Sequence, residues 1–364
     1  MVWIYISESL LYLCFSLLMG AFILQFIPER LKPEISIPKR LIQLSVLGII
    51  FFSVAPVIRI ILFLYEDIGL ALTMQNVLGG FEVGKAWNVT VILALFFYLF
   101  VSLFPVLKSK VLAGISLAFT LILLLALGWA SHAASVTEWS GFVVHSLHFL
   151  AVTVWIGILL IVGWCSKNQE NWLSYLSWFT PLAIGCFLTI MGTGLFLMTL
   201  VIDVNEYGDA WMLSYGQALL VKHLTIIPIL FFAFINGFWI RRKLKRQEQI
   251  NPIPWLKFES ILLFFTFVST AVLGQQEPPH SIEMTLGGSG PSAVFDYFYS
   301  GIIDPSMHVQ FGLNTINTMF FIVAIIFMWL IFYSFRKKAP AVVSFFMGMF
   351  CTLSLYFGLI ASIQ

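Results

Sequence analysis

The chain has 364 residues, of which 60% are hydrophobic and 10% are charged. A soluble domain carries about 25% charged residues, so this composition predicts an integral membrane protein. The net charge of +2 provides no basic face for a nucleic acid. The four cysteines lie singly in separate apolar segments, which excludes a disulfide framework.

Apolar runs long enough to cross a bilayer, roughly 20 residues each, recur along the whole chain. We predict an all-α polytopic transmembrane bundle of about ten helices, forming a single transmembrane domain over residues 1–364. The predicted helices are 3–27, 41–65, 87–107, 111–130, 142–165, 176–201, 215–240, 258–274, 312–335 and 341–361.

Basic residues predict the orientation of these helices. Most of the 19 lysines and arginines lie in alternate connections, and cytoplasmic connections carry this excess. Both termini are therefore expected outside, and 275–311 is expected to be a long extracytoplasmic connection. The basic connections are 28–40, 108–110, 166–175, 241–257 and 336–340.

No motif of a nucleotide-dependent or hydrolytic enzyme is present. Gly79–Ala86 resembles a P-loop, but Ala86 stands where Ser or Thr would hold Mg²⁺, and no strand precedes it. We therefore expect no bound nucleotide and no enzymatic activity.

All six histidines are expected on the outer half of the bundle. Three of them fall within 17 residues, one shortly before the apolar segment 142–165 and two in its first turns. Imidazole is costly to bury in lipid, and it is the commonest ligand of transition metals. The candidate metal ligands are His132, His145, His148, His223, His280 and His308.

Other ionisable residues lie at a similar depth, roughly 7–13 Å below the outer boundary at 1.5 Å per residue. Glu8, Arg59 and Lys222 lie at this level with His148 and His223. The pattern predicts one polar pocket open to the outside, whose electrostatics these three residues set. A plainer alternative is that Arg59 or Lys222 forms a salt bridge with Glu8, or extends toward the boundary.

His145 and His148 are three residues apart, so both rings can turn toward one ion. Imidazole suits copper in either oxidation state, whereas thioether selects Cu(I). The alternative is that each histidine only forms hydrogen bonds with its neighbours. Cys186, Met191 and Met198 could offer sulfur ligands along a pathway, although Cys and Met are also ordinary apolar filler.

From His132 onward the sequence resembles the CopD copper-resistance family of bacterial membrane proteins. The resemblance covers about 150 residues, a CopD-like core over 132–279. It rests on the His132 loop, His145-x-x-His148-Phe149-Leu150-Ala151-x-x-x-Trp155-x-Gly157, Trp178-Phe179-x-Pro181-Leu182, Gly192 and Gly194, Tyr215-Gly216-x-x-Leu219-x-x-Lys222-His223-Leu224, Ala233-x-x-Asn236 with Arg241-Arg242, and Ala271-Val272-Leu273 before Pro278-Pro279.

This resemblance implies copper handling as Cu(I) or Cu(II), usually import across the bacterial cytoplasmic (inner) membrane. It also implies a CopC-type carrier as donor, here expected to be a separate protein because the sequence has no CopC-like β domain. His280 and His308 would then be capture ligands near the donor.

Two other functions remain open from the sequence. A haem- or quinone-binding membrane oxidoreductase could use His148 and His223 as axial ligands, although no second histidine pair lies near the inner face. A copper-binding sensor or assembly factor would use the same outer pocket without transport.

Overall fold

Helices make up nearly all of the regular structure. The computed structural model describes residues 2–131, 134, 137, 139–279, 281–299 and 301–363. Within those ranges the only β structure is two isolated bridges, Ile35 with Ser166 and Phe311 with Ile363. The helices are α1 (Val2–Ile23), α2 (Lys39–Phe52), α3 (Ala55–Ile68), α4 (Leu70–Gly79), α5 (Glu82–Leu103), α6 (Lys110–Trp129), α7 (Trp139–Cys165), α8 (Trp172–Thr199), α9 (Ser214–Phe234), α10 (Arg241–Lys245), α11 (Ile253–Leu273), α12 (Ile282–Ser289), α13 (Ala293–Phe298), α14 (Thr315–Arg336) and α15 (Ala341–Ile360).

Ten helical segments of the described chain are long and apolar enough to cross a membrane, and they coincide with the ten predicted helices. The predicted all-α polytopic bundle is thereby confirmed. Several spans begin a few residues earlier than predicted, for example at Glu82 and at Trp172. The predicted orientation of the termini stays a prediction.

The second span differs from its prediction, because the expected continuous helix 41–65 is two helices. Helix α2 ends at Phe52, and α3 begins at Ala55 with Pro56 in its first turn. Proline has no N–H to donate, so it fits a first turn and interrupts a helix elsewhere. Arg59 therefore lies on a separate helix that follows a break.

The chain divides into two compact units, Met1–Leu197 and Met198–Gln364. In the first unit α1 packs along α7 and also against α2 and α6. The crossing of α1 and α7 is tight because both helices have a glycine there. A Cβ built on Gly157 would lie 2.1 Å from the carbonyl oxygen of Ser16, and a Cβ on Gly20 would overlap the backbone of Gly157.

In the second unit α9 packs against α11 and α15, and α14 forms a helical hairpin with α15. The span that begins with α9 continues through a π-helical segment, Ile235–Ile240, into α10.

The predicted long connection 275–311 is partly helical. It contains α12 and α13, and Phe295 of α13 is fully buried in a cluster with Trp211 and Met212. The Ser292 N–H also donates to the Met212 carbonyl at 2.7 Å. This connection is therefore packed onto the second unit.

Candidate metal centre

His145 and His148 lie on the first part of α7, and both side chains are half-buried. The helix continues for more than four turns beyond them, and its residues from Trp155 to Gly163 are buried. The sequence thus places the two imidazoles near the expected outer end of a helix whose remaining length is in the protein interior.

The imidazole of His148 is held by α8. Its Nδ1 lies 2.9 Å from the hydroxyl oxygen of Thr193. That hydroxyl donates its single proton to the Thr189 carbonyl at 2.6 Å. Because the contact with the carbonyl is the shorter of the two, we assign the hydroxyl as acceptor from His148, with the ring proton on Nδ1 and the lone pair on Nε2. Metal-ligating histidines are oriented in the same way by a hydrogen bond to the other ring nitrogen.

Gly194 provides the space that this ring occupies. A Cβ built at position 194 would lie 3.4 Å from Cε1 of His148, whereas at Gly192 it would meet nothing within 4 Å. Gly194 therefore lies against the His148 ring and Gly192 does not, a difference that the sequence pattern alone does not show.

Helix α1 contributes to the surroundings of His148. Phe149 packs edge-on against Tyr12 and Phe15, with ring centroids 5.4 and 5.5 Å apart. Glu8 is buried and lies one turn before Tyr12 on the same helix face. Glu8, which was predicted to contribute to the pocket, therefore lies in the first unit on the helix that packs along α7. Arg59 is half-buried on α3.

The second unit holds His223 and Lys222 on α9, both half-buried. His223 Nδ1 and the Tyr207 hydroxyl are joined by a hydrogen bond of 2.7 Å. Burial raises the pKa of Tyr207 to about 12, so the phenol keeps its proton at neutral pH. The prediction that these residues share one pocket with Glu8, Arg59 and His148 stays a prediction.

His308 is held by a buried carboxylate. Its Nδ1–H donates to Oδ2 of Asp209 at 2.8 Å, and Oδ1 of Asp209 accepts the Val309 N–H at 2.6 Å. The His308 side chain is 83% exposed, and that of Asp209 is 11% exposed. The pKa of His308 is raised, mainly by the hydrogen bond to Asp209 and to a smaller extent by the negative charge of Asp209. Nε2 of this ring faces solvent, which suits a capture ligand.

His132 and His280 lie outside the described residues. Among the residues that the structure does describe, no group of three or more His, Cys, Asp or Glu side chains is arranged to hold a metal ion. A site at His145 and His148 would therefore need further ligands, and His132 is the nearest candidate along the chain.

The three sulfur residues of the predicted pathway differ in burial along α8. Cys186 and Met198 are buried, whereas Met191 is 37% exposed. Met198 packs with Ile202 and Leu219 in the second unit. The pathway stays a prediction.

Sequence reasoning missed the residues that hold the histidines. Thr193 lies between Gly192 and Gly194, and Asp209 is 99 residues from His308. Neither contact has a signal in the sequence. It also missed Glu259, a carboxylate only 2% exposed on α11. Glu259 did have a signal, because an acidic residue within an apolar span is expensive.

These observations define a multi-pass helical membrane protein with oriented histidines on two of its helices and in the connection before α14. The family model CopD, described as copper resistance protein D, matches residues 173–273. The resemblance inferred from the sequence is confirmed for that segment, which covers Thr193, Gly194, Asp209, His223 and Glu259 but not His145 or His148. Neither the curated proteins nor the solved structures gave a match.

Proposed function

We propose that this protein binds copper at His145 and His148 and imports it across a bacterial cytoplasmic membrane. The observation that carries the proposal is the hydrogen bond from His148 Nδ1 to Thr193, which leaves the lone pair on Nε2. Thr193 and Gly194, which orient the ring and give it room, both lie in the segment that matches the CopD family.

The donor chemistry supports copper. Imidazole nitrogens suit copper in both oxidation states, and the sulfurs of Cys186, Met191 and Met198 would favour Cu(I) beyond the entry site. His132 is proposed as a third ligand. Glu8, Arg59 and Lys222 are proposed to set the electrostatics around the site rather than to bind the ion, because protonated lysine and arginine have no lone pair to offer.

Import is supported by the expected orientation and by simple energetics. With the histidines on the outer side, a monovalent cation moving inward gains about 2.3 kcal/mol per 100 mV of membrane potential, negative inside. Such movement requires no nucleotide and no catalysis, so we propose that the protein is not an enzyme.

A separate CopC-type carrier is proposed as the copper donor. His308 is the residue that would meet it, because Asp209 fixes its ring and 83% of the side chain is exposed. His280 lies in the same connection and is proposed as a second capture ligand.

The first test is the metal content and visible absorption of the purified protein, with wild type beside the double variant His145→Ala/His148→Ala. We expect copper near one equivalent in the wild type and a loss of it in the double variant. The matched variant His308→Ala should keep copper at His145 and His148. Copper kept by the double variant and lost from His308→Ala would place the site on the connection 275–311 instead.

The same samples separate the rival functions. A Soret band would identify the histidines as haem ligands and overturn the copper proposal. Vesicles that contain a copper chelator then test transport: wild type should accumulate copper when the potential is negative inside, and the double variant should not. Stoichiometric copper binding without any uptake would instead indicate a sensor or an assembly factor.

A further inference from the structure

A buried carboxylate lies deep in the second unit, outside the histidine sites. Glu259 is 2% exposed, about six residues or roughly 9 Å into α11. Its partner is Asn236, which is 4% exposed and whose Nδ2 donates to Oε2 of Glu259 at 2.6 Å. In the described part of the chain no lysine, arginine or histidine forms an ion pair with Glu259.

An isolated anion at this position is unfavourable. A charged carboxylate within a membrane costs several kcal/mol or more unless it is paired, and such a group becomes neutral by binding a proton instead. A neutral carboxyl group has one O–H donor, and that donor in turn needs an acceptor.

Asn236 offers that acceptor. Its Oδ1 is buried and has no hydrogen-bond partner among the described residues. With Glu259 protonated, the amide and carboxyl groups can form two hydrogen bonds, Nδ2–H to Oε2 and the carboxyl O–H to Oδ1. With Glu259 ionised, only the first of them exists. When Glu259 is ionised, Oδ1 of Asn236 therefore has no donor, and one proton on the carboxyl group would supply it.

The backbone around Asn236 is also unusual. Asn236 is the second residue of the π-helical segment Ile235–Ile240. Such wide turns are rare and occur frequently at functional sites. They place a side chain where the regular helix would not.

Among the described residues, Asn236 is the side chain that forms a hydrogen bond with Glu259, and none forms an ion pair with it. Lys222 and His223 lie roughly 20 Å before Asn236 along the same span. Helix α11 packs against α9, α14 and α15, whose other ionisable side chains are Tyr215, Lys222 and His223 of α9, Tyr333 and Arg336 of α14, and Cys351 and Tyr356 of α15. Helix α11 itself carries Lys257, and α10 carries Arg241, Arg242, Lys243 and Lys245.

We propose that Glu259, paired with Asn236, is a proton-binding site whose loading and unloading is a step of the transport cycle. The carboxylate takes up one proton to become a neutral acid, and the new O–H bond joins α11 to the span of α9 by a second hydrogen bond. Release of the proton breaks that hydrogen bond. Two oxygen donors suit a proton and do not suit Cu(I), which prefers sulfur and imidazole.

The proton site can be tested without copper. Infrared difference spectra of the purified protein between about pH 5 and pH 9, where buried glutamates can titrate, should show the C=O band of a protonated carboxyl group that disappears as pH rises. Glu259→Gln should abolish this band, and Asn236→Ala should shift it. The matched variant Glu283→Gln, which changes an exposed carboxylate of α12, should leave it unchanged.

A band that is absent from the wild type, that persists in Glu259→Gln or that does not change with pH overturns the proton site. If Glu259→Gln fails to fold, Glu259→Asp keeps the acid and should move the titration midpoint.

The coupling to transport rests on the proposed import and has its own readout. Copper uptake into vesicles should depend on pH in the wild type and should be pH-independent and at least about tenfold slower in Glu259→Gln, while copper binding at the histidines is kept. The same pH dependence in both proteins overturns the coupling. If the wild type imports no copper, the proposed function fails, and the infrared band still decides whether Glu259 binds a proton.

Discussion

The Nδ1 atom of His148 lies 2.9 Å from the hydroxyl oxygen of Thr193 on the neighbouring helix. The shorter contact of this hydroxyl is with the Thr189 carbonyl of its own helix, so we assign it as the acceptor from the imidazole. One threonine therefore fixes both the orientation of the ring and the nitrogen that is able to bind a metal.

Replacing Thr193 by valine keeps the shape of the side chain and removes the acceptor. We expect the copper affinity to fall by about 10- to 100-fold, as it does when such orienting partners are lost, and we expect no change in folding. The measurement is a competition titration with a copper chelator. Thr189→Val is the matched control, because the Thr189 hydroxyl donates only to the Gly185 carbonyl at 3.0 Å. Equal losses in both variants would contradict the role assigned to Thr193.

Replacing Gly194 by valine should displace the His148 ring. The Cβ alone would already lie 3.4 Å from Cε1, and the two methyl groups extend further. We expect copper binding to weaken by about tenfold or more. Gly192→Val carries the same cost in helix propensity but has nothing within 4 Å, so it should bind copper as the wild type does. The same titration compares the two variants, and a normal affinity for Gly194→Val would show that the ring does not need this space.

Asp209→Asn should lower the pKa of His308 toward that of an ordinary histidine. In the wild type the hydrogen bond and the charge of Asp209 raise this pKa, so the ring stays protonated to a higher pH. The extra stabilisation from the charged ring is complete below the pKa that His308 has in the unfolded chain, and it is lost as pH rises through the raised pKa. Copper capture by His308 should strengthen over the same rise, because the proton on Nε2 then leaves.

The midpoint can be measured from the rate at which diethyl pyrocarbonate modifies His308 at different pH values, read by mass spectrometry. Asp304→Asn is the control, since the Asp304 carboxylate accepts hydrogen bonds from Ser306 and not from His308. A midpoint that Asp209→Asn leaves unchanged would refute the assignment.

Gly157→Ala should destabilise the first unit. Its methyl group would overlap the Ser16 carbonyl, so α1 and α7 would have to separate. We expect a loss of about 1–3 kcal/mol, as in overpacked cores, seen as a lower thermal unfolding temperature in detergent. Gly185→Ala meets nothing within 4 Å and should be neutral or stabilising by up to about 1 kcal/mol. An unchanged unfolding temperature for Gly157→Ala would show that the crossing can relax.

The ten spans could be predicted because hydropathy depends on composition over a window, and a bilayer imposes a length. The break after Phe52 could not be predicted, because a proline such as Pro56 within an apolar run is compatible both with a bent helix and with the end of one helix and the start of another. The earlier starts at Glu82 and Trp172 arise because polar and interfacial residues can also form the first turn of a helix.

The candidate site was predictable only in part. The places of His148 and His308 along the chain follow from the lengths of the apolar runs, but their partners Thr193 and Asp209 depend on tertiary packing, which no local pattern records. Glu259 was overlooked because it lies close to the predicted start of its span, where a carboxylate could have been at the membrane boundary. The structure instead buries it beside Asn236.

The π-helical segment Ile235–Ile240 also absorbs one residue without turning the rest of its span. A π turn holds more residues than an α turn, so it acts as a built-in insertion. Deleting one residue there would restore regular helix and leave the basic end, Arg241–Lys245, facing in nearly the same direction relative to α9, because five α residues turn the chain about as far as six π residues. The span can therefore carry Asn236 on a displaced turn without changing the direction in which its cationic end faces.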